Sequence, residues 1–157
     1  MTLMITPATF VCERDFEHSV ALLYFAFTDH EARKVWYGGK ERGFNVAHHT
    51  LDFREGGGES WRGQPHGDAW MTNDATFIDI VPDQRIIYSY VMTMDGALFT
   101  VSQQAVEFSV RGAGSHIRLT EQIMFIDRTD HLAGRIEGTQ AMLDHLNAWL
   151  DAHIAGN

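Results

Sequence analysis

From about residue 44 to Asp127 hydrophobic character recurs at every second position, and this limits what the chain can fold into more than any other feature. Alternation of this kind sets one group of side chains on each face of an extended strand. The pattern breaks at Glu55-Gly56-Gly57-Gly58, Pro82-Asp83-Gln84, Asp95-Gly96 and Gly112-Ala113-Gly114. Pro82 suits the fixed φ of a tight turn, and Asp95-Gly96 is a strong hairpin signal. The segments between the breaks are NVAHHTLDFR, ESWRG, NDATFIDIV, RIIYSYVMT, LFTVSQQAVEFSVR and SHIRLTEQIMFID. They read as successive strands of one antiparallel meander.

Such a sheet needs a cover for its apolar face. The segment His131–Ile154 supplies it: Leu132, Ile136, Thr139, Leu143, Leu146, Leu150 and His153 recur at steps of three and four, an apolar stripe on one side of a helix. Asp144, Asn147 and Asp151 mark the solvated side, and Asp127 or Asp130 is the candidate N-cap. Gly134 and Gly138 fall in the first turns, where each costs up to roughly 1 kcal/mol relative to Ala. They either loosen the helix start or let it stand over a gap.

Before the meander, residues 8–16 place Phe10, Cys12 and Phe16 on one parity, as a half-buried strand does. HSVALLYFAF then carries Val20, Leu23, Tyr24 and Phe27 at helical spacing. Thr28-Asp29-His30-Glu31 reads as a capping box with Thr28 as N-cap, opening a second short helix through Trp36. The expected class is α+β: a curved antiparallel sheet of six to seven strands wrapped around a long C-terminal helix, with two short helices after the first strand, in one domain over residues 1–157. One helix does not fill the concavity of so long a sheet. A cavity is expected between them, and such clefts are where small-molecule sites form.

The totals narrow the function. The 157 residues carry a net charge of -9, and Lys and Arg never cluster, which argues against nucleic acid and anionic membrane surfaces as partners. Cys12 is the only cysteine, so no internal disulfide forms. With no basic leader in MTLMITPATF and no membrane-length apolar window, a reducing, cytoplasmic location is expected.

Six separated segments, taken together, resemble the START-like superfamily, also called SRPBCC or helix-grip proteins. They are FVCERDFEHSV, AFTDHEARKVW, LDFREGGGESWRG, VPDQRIIYSY, VEFSVRGAGSHIRLTEQ and EGTQAMLDHLNAWL. Within that superfamily the chain is similar to bacterial proteins related to the C-terminal domain of the activator of heat-shock-protein-90 ATPase. The resemblance implies the helix-grip fold over nearly the whole chain. Its members include lipid carriers, cyclases, hormone receptors and co-chaperones, which share a cavity rather than a catalytic motif, so function has to be argued from the site.

Glu121 is the most informative residue. In HIRLTEQIMFI it shares parity with Ile117, Leu119, Ile123 and Phe125, so the pattern turns a carboxylate inward, where an unpaired charge is expensive. It is either solvated near a wet cavity mouth or an anchor or base for a ligand. Gln104 shares parity with Val106 and Phe108 on the preceding strand, and Arg135 is a candidate counter-charge. Tyr88, Tyr90, His49, Trp61, Trp36, Thr139, Met142 and Leu143 complete the candidate cavity wall. Nine histidines invite a metal, but His48 and His49 point to opposite faces and His18, His30, His66, His116, His131, His145 and His153 lack ligand spacing. Neither metal nor cofactor is expected. Three functions stay open: binding of a small, largely apolar molecule; a cyclase or hydrolase chemistry with Glu121 as base and Tyr88 or Tyr90 steadying charge; and a co-chaperone-like interaction module. A homodimer is compatible with each.

Overall fold

The computed structural model describes residues 3–65, 67, 69–128 and 131–155. Seven strands form one sheet: β1 (Ile5–Phe16), β2 (Phe44–Leu51), β3 (Gly58–Pro65), β4 (Met71–Val81), β5 (Arg85–Met94), β6 (Ala97–Arg111) and β7 (Gly114–Ile126). Helices α1 (Val20–Thr28) and α2 (His30–Trp36) follow β1, and α3 (Leu132–Ala155) follows β7. The strand order is β1-β7-β6-β5-β4-β3-β2, antiparallel throughout. The meander thus runs in chain order from β2 to β7, and β1 closes on its far side. This is the expected α+β helix-grip arrangement.

Turn chemistry explains why the hairpins fall where they do. Asp83, Asp95, Gly56, Gly96 and Gly112 all take positive φ, a region open to Gly and tolerated by Asp. Two local expectations need correction. The N-cap of α2 is Asp29, whose side chain accepts from the Ala32 N–H at 3.0 Å, while Thr28 ends α1 and returns its hydroxyl to the Phe25 carbonyl at 3.2 Å. Asp29 reaches the free amide itself, and no reciprocal box forms, because the third residue on is Ala32 while Glu31 turns to Lys34 at 2.8 Å. Asp127 does not cap α3 either. It has φ 57° and accepts from the Met4 N–H at 2.9 Å, tying the end of β7 to the chain before β1. Asp130, the other candidate, and His66 lie outside the described residues.

The core gathers Phe10, Cys12 and Phe16 of β1, Leu23 and Phe27 of α1, Trp36 of α2, Ile117 and Leu119 of β7, and Leu143, Leu146 and Leu150 of α3. The second half of α3 is therefore locked to the sheet by its leucines. Leu132 and Ile136 in its first half are only partly buried. A helix docked at one end and lifted at the other leaves space beneath the lifted end.

Candidate functional site

That space is a cavity of about 220 Å³ between the first half of α3 and strands β2 to β7. Its wall is largely apolar, with Met71, Met92 and Met142 among the rings of Phe44, Trp61, Tyr88 and Tyr90. Gly134 and Gly138 form its rim, and a Cβ at either would meet nothing within 4 Å. Trp61 is held flat between two glycines: a Cβ on Gly63 would approach its ring to 2.3 Å, and one on Gly38 to 2.9 Å. Its indole N–H donates to the Gly38 carbonyl at 3.0 Å.

At the floor stands Glu121, with no exposure to solvent. Register explains its partners, because Tyr88 lies opposite Gln104 and Gln104 opposite Glu121 across three adjacent strands. The Tyr88 hydroxyl donates to Gln104 Oε1, and Gln104 Nε2 donates to Glu121 Oε1 at 2.7 Å. Tyr90 donates to the same oxygen at 2.6 Å. From α3, Arg135 Nη1 reaches Glu121 Oε2 at 2.9 Å and the Tyr90 hydroxyl at 2.8 Å, and its Nη2 reaches Thr100 Oγ1 at 3.0 Å. Thr139 hydrogen-bonds back to the Arg135 carbonyl at 2.9 Å. Both carboxylate oxygens thus accept from strong donors, which is the condition for burying a charge. Burial pushes both the Tyr88 and Tyr90 phenols well above their ordinary range, and for Tyr90 the Glu121 charge adds to the effect. Both stay neutral donors.

A second buried carboxylate went unnoticed in the sequence. Glu59 of β3 is 4% exposed and takes a two-pronged contact from Arg33 of α2, at 2.7 Å and 2.5 Å. His49 Nε2 completes it at 2.8 Å. The Arg33 guanidinium lies 4.3 Å from the Tyr37 ring centroid, and the Tyr37 hydroxyl accepts from Asn73 at the cavity wall, at 3.0 Å. Burial alone would raise the Glu59 pKa, but the Arg33 charge and the His49 and Arg33 hydrogen bonds outweigh it, and the pKa falls below its ordinary 4.5. The signal was available: Glu59 shares strand parity with Trp61 and Gly63. Tyr37, Arg42, Phe44, Met71, Asn73 and Met92 also line the cavity without having been singled out.

Of the candidate residues, the structure brings Glu121, Gln104, Tyr88, Tyr90, Trp61, Thr139, Met142 and Arg135 to one cavity. Three lie elsewhere. His49 sits beneath α2 with its ring edge-on to His30 at 4.8 Å. Trp36 is fully buried and donates to the Ala26 carbonyl at 2.9 Å, and Leu143 belongs to the core.

The family described as activator of Hsp90 ATPase homolog 1-like protein matches residues 17–151. Among solved structures, the Mll3558 protein of Rhizobium loti is 36% identical, with a TM-score of 0.84 over 93% of this chain and 99% of that one. An uncharacterized protein of Rhizobium leguminosarum is 30% identical, with a TM-score of 0.91 over 97% of this chain and 99% of its own. The CV1439 protein of Chromobacterium violaceum shares the fold at 20% identity, with a TM-score of 0.75 over 90% of this chain and 96% of that one. No curated protein matches the chain.

Proposed function

The chain belongs to the activator of Hsp90 ATPase homolog 1-like family, and from that premise we propose that it binds a small, largely apolar molecule in the cavity under α3. One observation carries the reading: a mostly apolar cavity built over a hydrogen-bonded cluster in which Glu121 is completely buried and is held by Arg135, Tyr90 and Gln104. Apolar residues of similar volume would stabilise a core as well as a buried ion pair does, or better. Beyond tying α3 to the sheet, the cluster therefore also serves as a fixed polar floor for a ligand. Both Glu121 oxygens are held by donors, so the carboxylate is fixed in position at the floor.

At about 220 Å³ the space falls below the roughly 300–1,000 Å³ of drug-sized sites, so the fitting ligand is of single-ring size. The buried Cys12 thiol suits the reducing cytoplasm expected for this chain.

A thermal-shift panel of single-ring aromatic, branched aliphatic, sterol and flavonoid-like compounds tests this on wild type and Gly138→Leu. Single-ring compounds should raise the wild-type midpoint in proportion to the logarithm of their concentration. They should fail on Gly138→Leu, whose side chain enters the open rim. If no compound shifts the wild type, or both proteins shift equally, the cavity is not the working site and the search passes to protein partners.

A further inference from the structure

The charge inventory of the cavity wall contains an imbalance. Its ionisable side chains at neutral pH are Glu121, Arg135 and Arg42. Glu121 and Arg135 answer each other. Arg42 has only neutral partners among the described residues. Its Nη1 donates to the Tyr37 carbonyl at 2.7 Å, its Nη2 to the Gly138 carbonyl at 3.3 Å, and its guanidinium carbon lies 5.5 Å from the Phe44 ring centroid. In a chain of net charge -9, a partly buried guanidinium with no carboxylate beside it among the described residues is conspicuous. The two carbonyls belong to the end of α2 and the first half of α3, so they hold the cation in place where the cavity opens.

Resting on the cavity reading above, the geometry points to a narrower ligand class: a small monocarboxylate with a single-ring or branched apolar body, its carboxylate on Arg42 and its body among Met71, Met92, Met142 and Trp61. A guanidinium carries five N–H donors in a planar fork suited to a carboxylate, and two carbonyl contacts leave donors to spare. Among the described residues the cavity wall carries one net positive charge, which a monoanion neutralises and a cation or dianion does not. Burial also holds the Arg42 pKa below its ordinary value, against a smaller pull from Tyr37, consistent with a charge still short of a counter-ion.

The test pairs phenylacetate with phenylacetamide, which share size and shape and differ in charge. Calorimetric titration of wild type should show the acid binding about tenfold more tightly or better, the scale of one charge-assisted hydrogen bond. That preference should shrink with added salt. Arg42→Gln should lose the preference while still taking the amide, and Arg42→Lys should keep part of it. Equal affinities in wild type would overturn the assignment of Arg42 and leave the cavity reading standing. A preference unchanged in Arg42→Gln would place the anion on another group and likewise overturn it. If the Arg42 variants fold poorly, nitrogen-15 NMR of the arginine side chains in wild type decides the matter: phenylacetate should shift the Arg42 Nε, and a shift confined to Arg135 would overturn the assignment. If neither compound binds wild type, the monocarboxylate inference fails, and the broader panel above separately decides the fate of the cavity.

Discussion

Glu59 and Glu121 are alike in burial but differ in what happens when they are lost. Glu59→Gln strands Arg33, whose side chain is 6% exposed and wedged between Tyr37 and Trp36. Removing one partner of a buried pair costs about 3–5 kcal/mol, so this variant should melt well below wild type. Glu121→Gln strands Arg135, which is 13% exposed beside an open rim and can turn toward water, so its cost in chemical denaturation should be visibly smaller. The pH dependence follows from the depressed pKa of Glu59. A carboxylate held below its ordinary 4.5 stabilises the fold above that pH and loses its contribution as the pH falls through the folded value. Stability measured from pH 6 down to pH 3 should therefore decline less steeply in Glu59→Gln than in wild type; parallel declines would contradict this account. Strand alternation made Glu121 legible in the sequence, and Glu59 obeyed the same rule beside Trp61. Arg33 was not legible, since the seven residues of α2 give too few turns for a stripe to emerge. His49 was read as a cavity residue; it lies opposite Trp61 but under α2, and alternation does not say which helix covers a given end of a strand.

At the level of elements, α3 divides into a leucine-locked second half and a glycine-bearing first half. The long helix, the two short helices and the hairpins at residues 56–58, 82–84, 95–96 and 112–114 were readable because turn residues and periodicity agree there, whereas the connection from β3 to β4 showed no such agreement. The cap of α2 was misplaced by one residue because Thr28 and Asp29 both carry capping side chains and only geometry chooses between them. The glycines were ambiguous for a similar reason: a sequence does not show what stands opposite them. The structure shows open space at both. Gly134→Ala and Gly138→Ala should each raise stability by roughly 0.5–1 kcal/mol in denaturant titration, through helix propensity and a less disordered unfolded chain. A loss of stability at either would mean that the helix start is strained in a way its surroundings do not show.

Across the whole molecule, each buried ion pair fastens a helix to the sheet, Arg33–Glu59 for α2 and Arg135–Glu121 for the lifted end of α3. The cavity is what remains between these two attachments. Its existence followed from the mismatch between a long curved sheet and one helix, whereas its size and charge depended on side-chain directions that no periodicity encodes. The central claim is that a ligand enters this space, and the methionines report on it directly. Met71, Met92 and Met142 line the wall, while Met4 and Met124 are exposed outside it. The decisive measurement is a methyl-labelled methionine NMR titration with the compound that most raises the melting midpoint. The account predicts saturable shifts of Met71, Met92 and Met142 with Met4 and Met124 unmoved; shifts confined to Met4 or Met124 would contradict it.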